Sequence, residues 1–170
     1  MARPVVGKIP GARERLASFR HNDSRAELLG MVREDVDGLL PIISSPGEDT
    51  WEYGQIDTSL DAGDWGVVAV AQGHYLGYCL AKPGAAILEI LQIAVNPAHR
   101  RKGLGRRMIN FMCEAAKSRG MDEVWLEVRA SNLSARALYG DSGFIETGVR
   151  NDYYGAGDVR EAAIMMSRLL

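Results

Sequence analysis

LEILQIAVNPAHRRKGLGRR, residues 88–107, is the stretch that decides the fold. Its first part, 88–95, is a nearly continuous apolar run of the kind a buried strand needs, and Asn96-Pro97 stops it. Beyond the basic segment, apolar residues recur at Leu104, Met108, Ile109, Met112, Ala115 and Ala116, which is one face of a helix. Gly120 follows where glycine is favoured after a last helical turn. The basic, glycine-bearing segment is therefore a strand-to-helix turn.

The charge of that turn points to a kind of ligand. A helix N-terminus carries partial positive charge and unpaired N–H groups, so acidic residues usually accompany it. Here Arg100, Arg101, Lys102, Arg106 and Arg107 place five cations within eight residues, with no acid among them. A phosphate or pyrophosphate would satisfy both amides and cations, and Gly103 and Gly105 would let the backbone approach it. The simpler alternative is a solvated basic turn.

Two common phosphate loops are excluded. Gly-x-x-x-x-Gly-Lys-Ser/Thr is absent, and Gly-x-Gly-x-x-Gly fails because position 108 is Met. What is present, from Arg100 to Gly105, is Arg-x-x-Gly-x-Gly. It resembles the pyrophosphate-binding motif of the GNAT superfamily of acetyl-coenzyme A-dependent N-acetyltransferases.

Length and composition agree with one enzyme-sized domain. The 170 residues suffice for a single core and are few for two. A net charge of −2 gives no global reason to expect nucleic acid or an anionic membrane as partner, so the local basic cluster favours a small anion. No apolar run approaches a membrane span, and the basic N-terminus lacks the apolar region of a secretory signal. Cys79 and Cys113 have no metal-type neighbours and read as reduced, buried thiols of a cytoplasmic protein. His21, His74 and His99 are scattered, and no metal is assigned. The expected layout is a flexible basic arm, 1–15, followed by a single domain, 16–170, acting as a monomer or weak dimer.

Taken in order, residues 16–21 read as a first strand. Ser24 with Glu27 has the form of a capping box, so a helix is expected from there to about Leu40, with 41–49 as a turn. A second helix is expected over 50–60, with Trp51 and Ile56 inward. Strands 66–71 and 74–80 form a hairpin about Gln72-Gly73. After the central helix come a strand at 123–128, a helix capped by Asn132 and running to about Tyr139, and closing strands at 144–149 and 161–169. The fold class is mixed α/β: a twisted, mostly antiparallel sheet of about seven strands flanked by about four helices.

The second half narrows the resemblance. WLEVRASN (125–132), ARALY (135–139), Gly143-Phe144, RNDYY (150–154) and REAAIMM (160–166) are similar to the RimI branch of the GNAT superfamily. Those bacterial enzymes acetylate the N-terminal alanine of a small-subunit ribosomal protein. The likeness runs over about residues 65–170. It implies acetyl-coenzyme A as cosubstrate, with backbone groups of Ile93, Ala94 and Val95 serving the acetyl carbonyl and pantetheine arm. Arg100, Arg101, Lys102, Gly103, Leu104, Gly105 and Arg106 would hold the pyrophosphate, and Asn132 would contact the cofactor from the next helix. Glu127 is implied as general base and Tyr139 as general acid.

Without the likeness, Glu127 reads first as an ordinary exposed acid alternating with Glu123 and Trp125, and Tyr139 first as a packed helix residue. Tyr153 and Tyr154 would line a peptide groove or pack on the sheet. The first 60 residues lack the Pro-Trp-Ser/Thr segment that shapes the acceptor groove in RimI-type chains. The acceptor therefore stays open between a protein N-terminus, a small amine of polyamine or aminoglycoside type, and no acceptor at all in a non-catalytic acetyl-coenzyme A-binding module.

Overall fold

The computed structural model describes residues 13–44, 53–155 and 160–170. Strands β1 (Arg15–His21), β2 (Ser24–Gly30), β3 (Trp65–Ala71), β4 (His74–Pro83), β5 (Ile87–Val95), β6 (Glu123–Arg129), β7 (Ile145–Tyr154) and β8 (Glu161–Leu169) form one sheet, in the order β1-β2-β3-β4-β5-β6-β8-β7. Helices α1 (Val36–Ile43), α2 (Tyr53–Asp61), α3 (Leu104–Ser118) and α4 (Leu133–Asp141) flank it. The described residues thus hold eight strands, against about seven expected, and four helices.

The extra strand is β2, where a helix was expected. Asn22 and Asp23 both have positive φ (45° and 61°), the backbone of a two-residue hairpin turn, and Ser24 pairs with His21 instead of capping a helix. Ala26, Leu28 and Gly30 then alternate inward. The helix waits until Val36 and continues through Pro41 to Ile43, past the expected stop. In α2, Ile56 is fully buried as expected, while Trp51 lies outside the described residues, as do 1–12 of the expected basic arm. The closing strand β7 extends to Tyr154, beyond the expected end at 149.

Two cores sandwich the sheet. On one face α3 buries Leu104, Met108, Ile109 and Met112 at 0–2% exposure among Leu88, Ile90, Val124, Leu126 and Val128. Each such side chain contributes on the order of 1.5–3 kcal/mol. On the other face Leu39, Ile42 and Ile56 pack with Val68, Tyr78, Leu80 and Ala94.

Among the described residues β5 and β6 are the only parallel neighbours, and their pairing runs from Ile87↔Glu123 to Ile90↔Leu126. Beyond it, β5 stays paired to β4 as far as Val95 and β6 stays paired to β8 as far as Arg129. The register shifts in β5 between Gln92 and Ile90, a bulge of the type that bends a strand. The sheet splits at this point, leaving a gap between the two strands.

Candidate active site at the split of the sheet

The basic turn and the start of α3 stand at this gap. Asn96 Oδ1 accepts from Ala98 N, which opens the short 3-10 turn Pro97–His99. Arg101 (φ 58°) and Gly103 (φ 76°) then take left-handed backbone, and the first α3 bond runs from Arg107 N to Gly103 O. The amides of Leu104, Gly105 and Arg106 precede that bond and have no intrahelical acceptor. A Cβ at Gly103 would meet nothing within 4 Å, so this backbone is open to a ligand. At Gly105 a Cβ would lie 2.9 Å from Leu138 Cδ2, so Gly105 makes room for α4 rather than for a ligand. Helix-start amides beside an open glycine suit a pyrophosphate.

The cations are less idle than their density implies. Arg100 Nε donates to Val95 O at 2.9 Å, and Lys102 Nζ donates to Ala98 O at 3.0 Å. Arg106 pairs with Asp141 at 2.7 Å, and the Arg107 guanidinium lies 4.4 Å from the Phe19 ring centre. Arg101 is exposed. Much of the basic cluster therefore builds the turn, and the helix amides carry a larger share of any anion binding than charge counting suggested.

The other expected residues flank the split. Ile93 and Val95 turn towards the α3-side core and Ala94 towards the opposite one. Asn132 Oδ1 caps α4 by accepting from Ala135 N at 3.1 Å. Tyr139 is 7% exposed, its ring 6.0 Å from that of Phe144, in the core on the α3 side. Glu127 alternates with the buried Leu126 and Val128, so it faces the opposite side. The structure thus sets Tyr139 and Glu127 on opposite faces of the sheet.

Glu127 has neighbours that sequence reasoning missed. Its side chain is 11% exposed, and Oε1 lies 3.0 Å from Arg150 Nη1. Among the described residues no hydrogen bond is directed to that oxygen, so its contact with Arg150 is an ion pair. Arg150 reaches from β7 across Ala163 of β8, and its guanidinium lies 4.7 Å from the Tyr153 ring centre. The nearby Glu127 carboxylate pushes the Tyr153 phenol above its ordinary value, with burial adding to it. Glu89, opposite Trp125 on the same face, is raised first by burial; Lys82 opposes this, and Glu127 adds to it. The signal available in the sequence was the closing hairpin itself, whose register brings Arg150 beside Ala163.

The two cysteines are free and buried. Burial pushes Cys113 up to about 11 and Cys79 higher still, so neither is a ready thiolate.

A sheet split beside a glycine-bearing basic turn, with a carboxylate on one face and a tyrosine on the other, defines a class. A model of the acetyltransferase (GNAT) family matches residues 34–144, and the chain belongs to this family. Over 78 residues it is 45% identical to the [ribosomal protein bS18]-alanine N-acetyltransferase of Escherichia coli strain K12, which covers 46% of this chain and 53% of that protein. This match spans about half the length of that relative. The protein of the same name from Haemophilus ducreyi is 26% identical over 141 residues, 82% of this chain and 97% of its own. The crystal structure of the ribosomal-protein-S18-alanine N-acetyltransferase from Escherichia coli superimposes with a TM-score of 0.77 at 27% identity, covering 85% of this chain and 93% of that one.

Proposed function

We propose that this chain is an acetyl-coenzyme A-dependent N-acetyltransferase whose acceptor is the N-terminal α-amine of a protein, an alanine first of all, as in a small-subunit ribosomal protein. Residues 16–170 would act as one domain. The observation that carries the reading is Glu127 itself, a largely buried carboxylate on β6 just past the point where β5 and β6 stop pairing. The similarity to bS18-alanine N-acetyltransferases supports the choice of acceptor.

Bound acetyl-coenzyme A would supply an acetyl group activated as a thioester. Leu104, Gly105 and Arg106 would hold its pyrophosphate through their amides, with Arg101 and Lys102 adding charge beside the open Gly103. Ile93, Ala94 and Val95 would offer backbone groups along the split, and Asn132 would reach it from the start of α4. Arg100 serves indirectly, by holding the turn to Val95.

An amine attacks a carbonyl only when neutral. Glu127 takes the proton from the incoming ammonium, directly or through water, on the face away from α3. Tyr139, on the α3 face, gives a proton to the departing sulfur. With both substrates held at one gap the transfer is direct, and no protein nucleophile is needed.

The test is thiol release from acetyl-coenzyme A in the presence of an Ala-starting peptide, the same peptide with its α-amine blocked, and a panel of polyamines and aminoglycosides. The reading expects turnover with the free-amine peptide alone. Turnover of small amines with an inert peptide would transfer the site to the small-amine class, and tight binding without turnover would indicate a binding module.

A further inference from the structure

His21 ends β1 and is 7% exposed, an uncommon depth for a histidine. Its Nε2 lies 3.1 Å from Nδ1 of His99, 78 positions later in the chain, with the ring centres 5.3 Å apart. One imidazole must donate and the other accept, so the bond needs at least one neutral ring. His99 closes the 3-10 turn that leads into Arg100–Gly103. A second tie lies alongside, since Phe19 of the same strand sits beneath the Arg107 guanidinium. The strand β1 is thus bonded at two points to the segment that offers its amides at the split.

We propose that His21 is a positioning residue for the phosphate-binding turn. Through His99 it holds residues 96–103 in the arrangement that presents the amides of Leu104, Gly105 and Arg106. The inference rests on the pyrophosphate reading of that turn. His21 lies outside the residues matched by the family model, so this brace belongs to the edge hairpin of this chain.

The surroundings favour a neutral His21. Burial first, then the charges of His99, Lys102 and Arg107, pull His21 below its ordinary value. These come from the 3-10 turn, the basic turn and α3, while Ser24 faces it across the hairpin. A hydrogen bond of this kind is worth a several-fold change in an equilibrium that depends on it.

The experiment measures coenzyme A binding by titration calorimetry, and the KM for acetyl-coenzyme A and kcat, for the wild type, His21→Leu, His21→Gln, His99→Leu and the double leucine variant. The expected result is a coenzyme A Kd and an acetyl-coenzyme A KM raised about fivefold in His21→Leu, with kcat at saturation within twofold of wild type. His21→Gln, whose amide can still bond to His99, recovers most of the affinity. The double variant is no weaker than either single one. Unchanged affinity in a folded His21→Leu, or in His99→Leu should the former not fold, would overturn the inference. So would an equal loss in kcat and affinity that His21→Gln does not rescue. A wild type that binds no coenzyme A would overturn the pyrophosphate reading itself, and this inference with it.

Discussion

Arg150 Nη1 and Glu127 Oε1 lie 3.0 Å apart, yet no hydrogen bond is directed between them. On the proposed reading the guanidinium competes with the acceptor's ammonium for this carboxylate, and the Tyr153 ring centre lies 4.7 Å from it. Because Arg150 is about half exposed, water screens part of this attraction. Replacing Arg150 by Met keeps much of the stem and removes the competing charge. The KM for a cationic acceptor is expected to fall a few-fold, and the gain to shrink as salt is raised. Steady-state kinetics at low and high ionic strength check this, and a raised KM would show that Arg150 helps to seat the acceptor.

Glu127→Gln removes the proton acceptor but keeps the shape of the side chain. On the proposed reading, loss of the general base lowers kcat on the order of 100- to 10,000-fold, while coenzyme A binding, which that reading places on the other face, stays near wild type. Parallel kinetics and calorimetry separate the two. A variant that loses both together would assign Glu127 to the architecture of the gap.

The two glycines of the turn have different jobs, so alanine should act differently at each. Gly103 has φ 76° with open space about it, and alanine there is expected to cost about 1–2 kcal/mol through the left-handed backbone. Gly105 has no such φ and its close neighbour is the end of the flexible Leu138 side chain, so the crowding in Gly105→Ala is expected to cost less than the strain at Gly103, about 1 kcal/mol or less. Shortening the neighbour in Gly105→Ala/Leu138→Val should recover part of that loss, and it should recover nothing at Gly103. Urea unfolding of the four variants distinguishes the mechanisms.

Stability should also respond to pH through His21. Its folded value is pulled below the ordinary 6.5 by burial and by His99, Lys102 and Arg107. Below about pH 6.5 the unfolded chain therefore binds a proton that the folded chain resists, and stability falls until the folded His21 is protonated too. Above that pH both forms are neutral and the contribution is zero. Between pH 7.5 and pH 5.5 the wild type should lose more stability than His21→Gln, as read from urea midpoints. Equal losses would remove His21 from the account.

The elements that were legible in the sequence are those whose local signals agreed. The apolar run to Val95, the one-faced α3, Gly120 and the Asn132 cap all lie where chain-local chemistry puts them. β2 was hidden because Ser24 and Glu27 imitate a capping box, while the decisive feature, positive φ at both Asn22 and Asp23, is a hairpin preference only part-written in those residue types. The split between β5 and β6 depends on where pairing stops, which no single segment encodes. The contacts of Arg150 and Tyr153 with Glu127, the place of Glu89 and the His21–His99 pair were missed for the same reason. Each becomes significant only once strand order brings it to a neighbour far away in the chain.

The most direct test of the central claim is mass spectrometry of an Ala-starting peptide that also carries an internal lysine, after incubation with this protein and acetyl-coenzyme A. The account predicts a single acetyl group, on the α-amine of the alanine, and its loss with Glu127→Gln. Acetyl on the lysine side chain, or an unmodified peptide beside rapidly acetylated small amines, would contradict it.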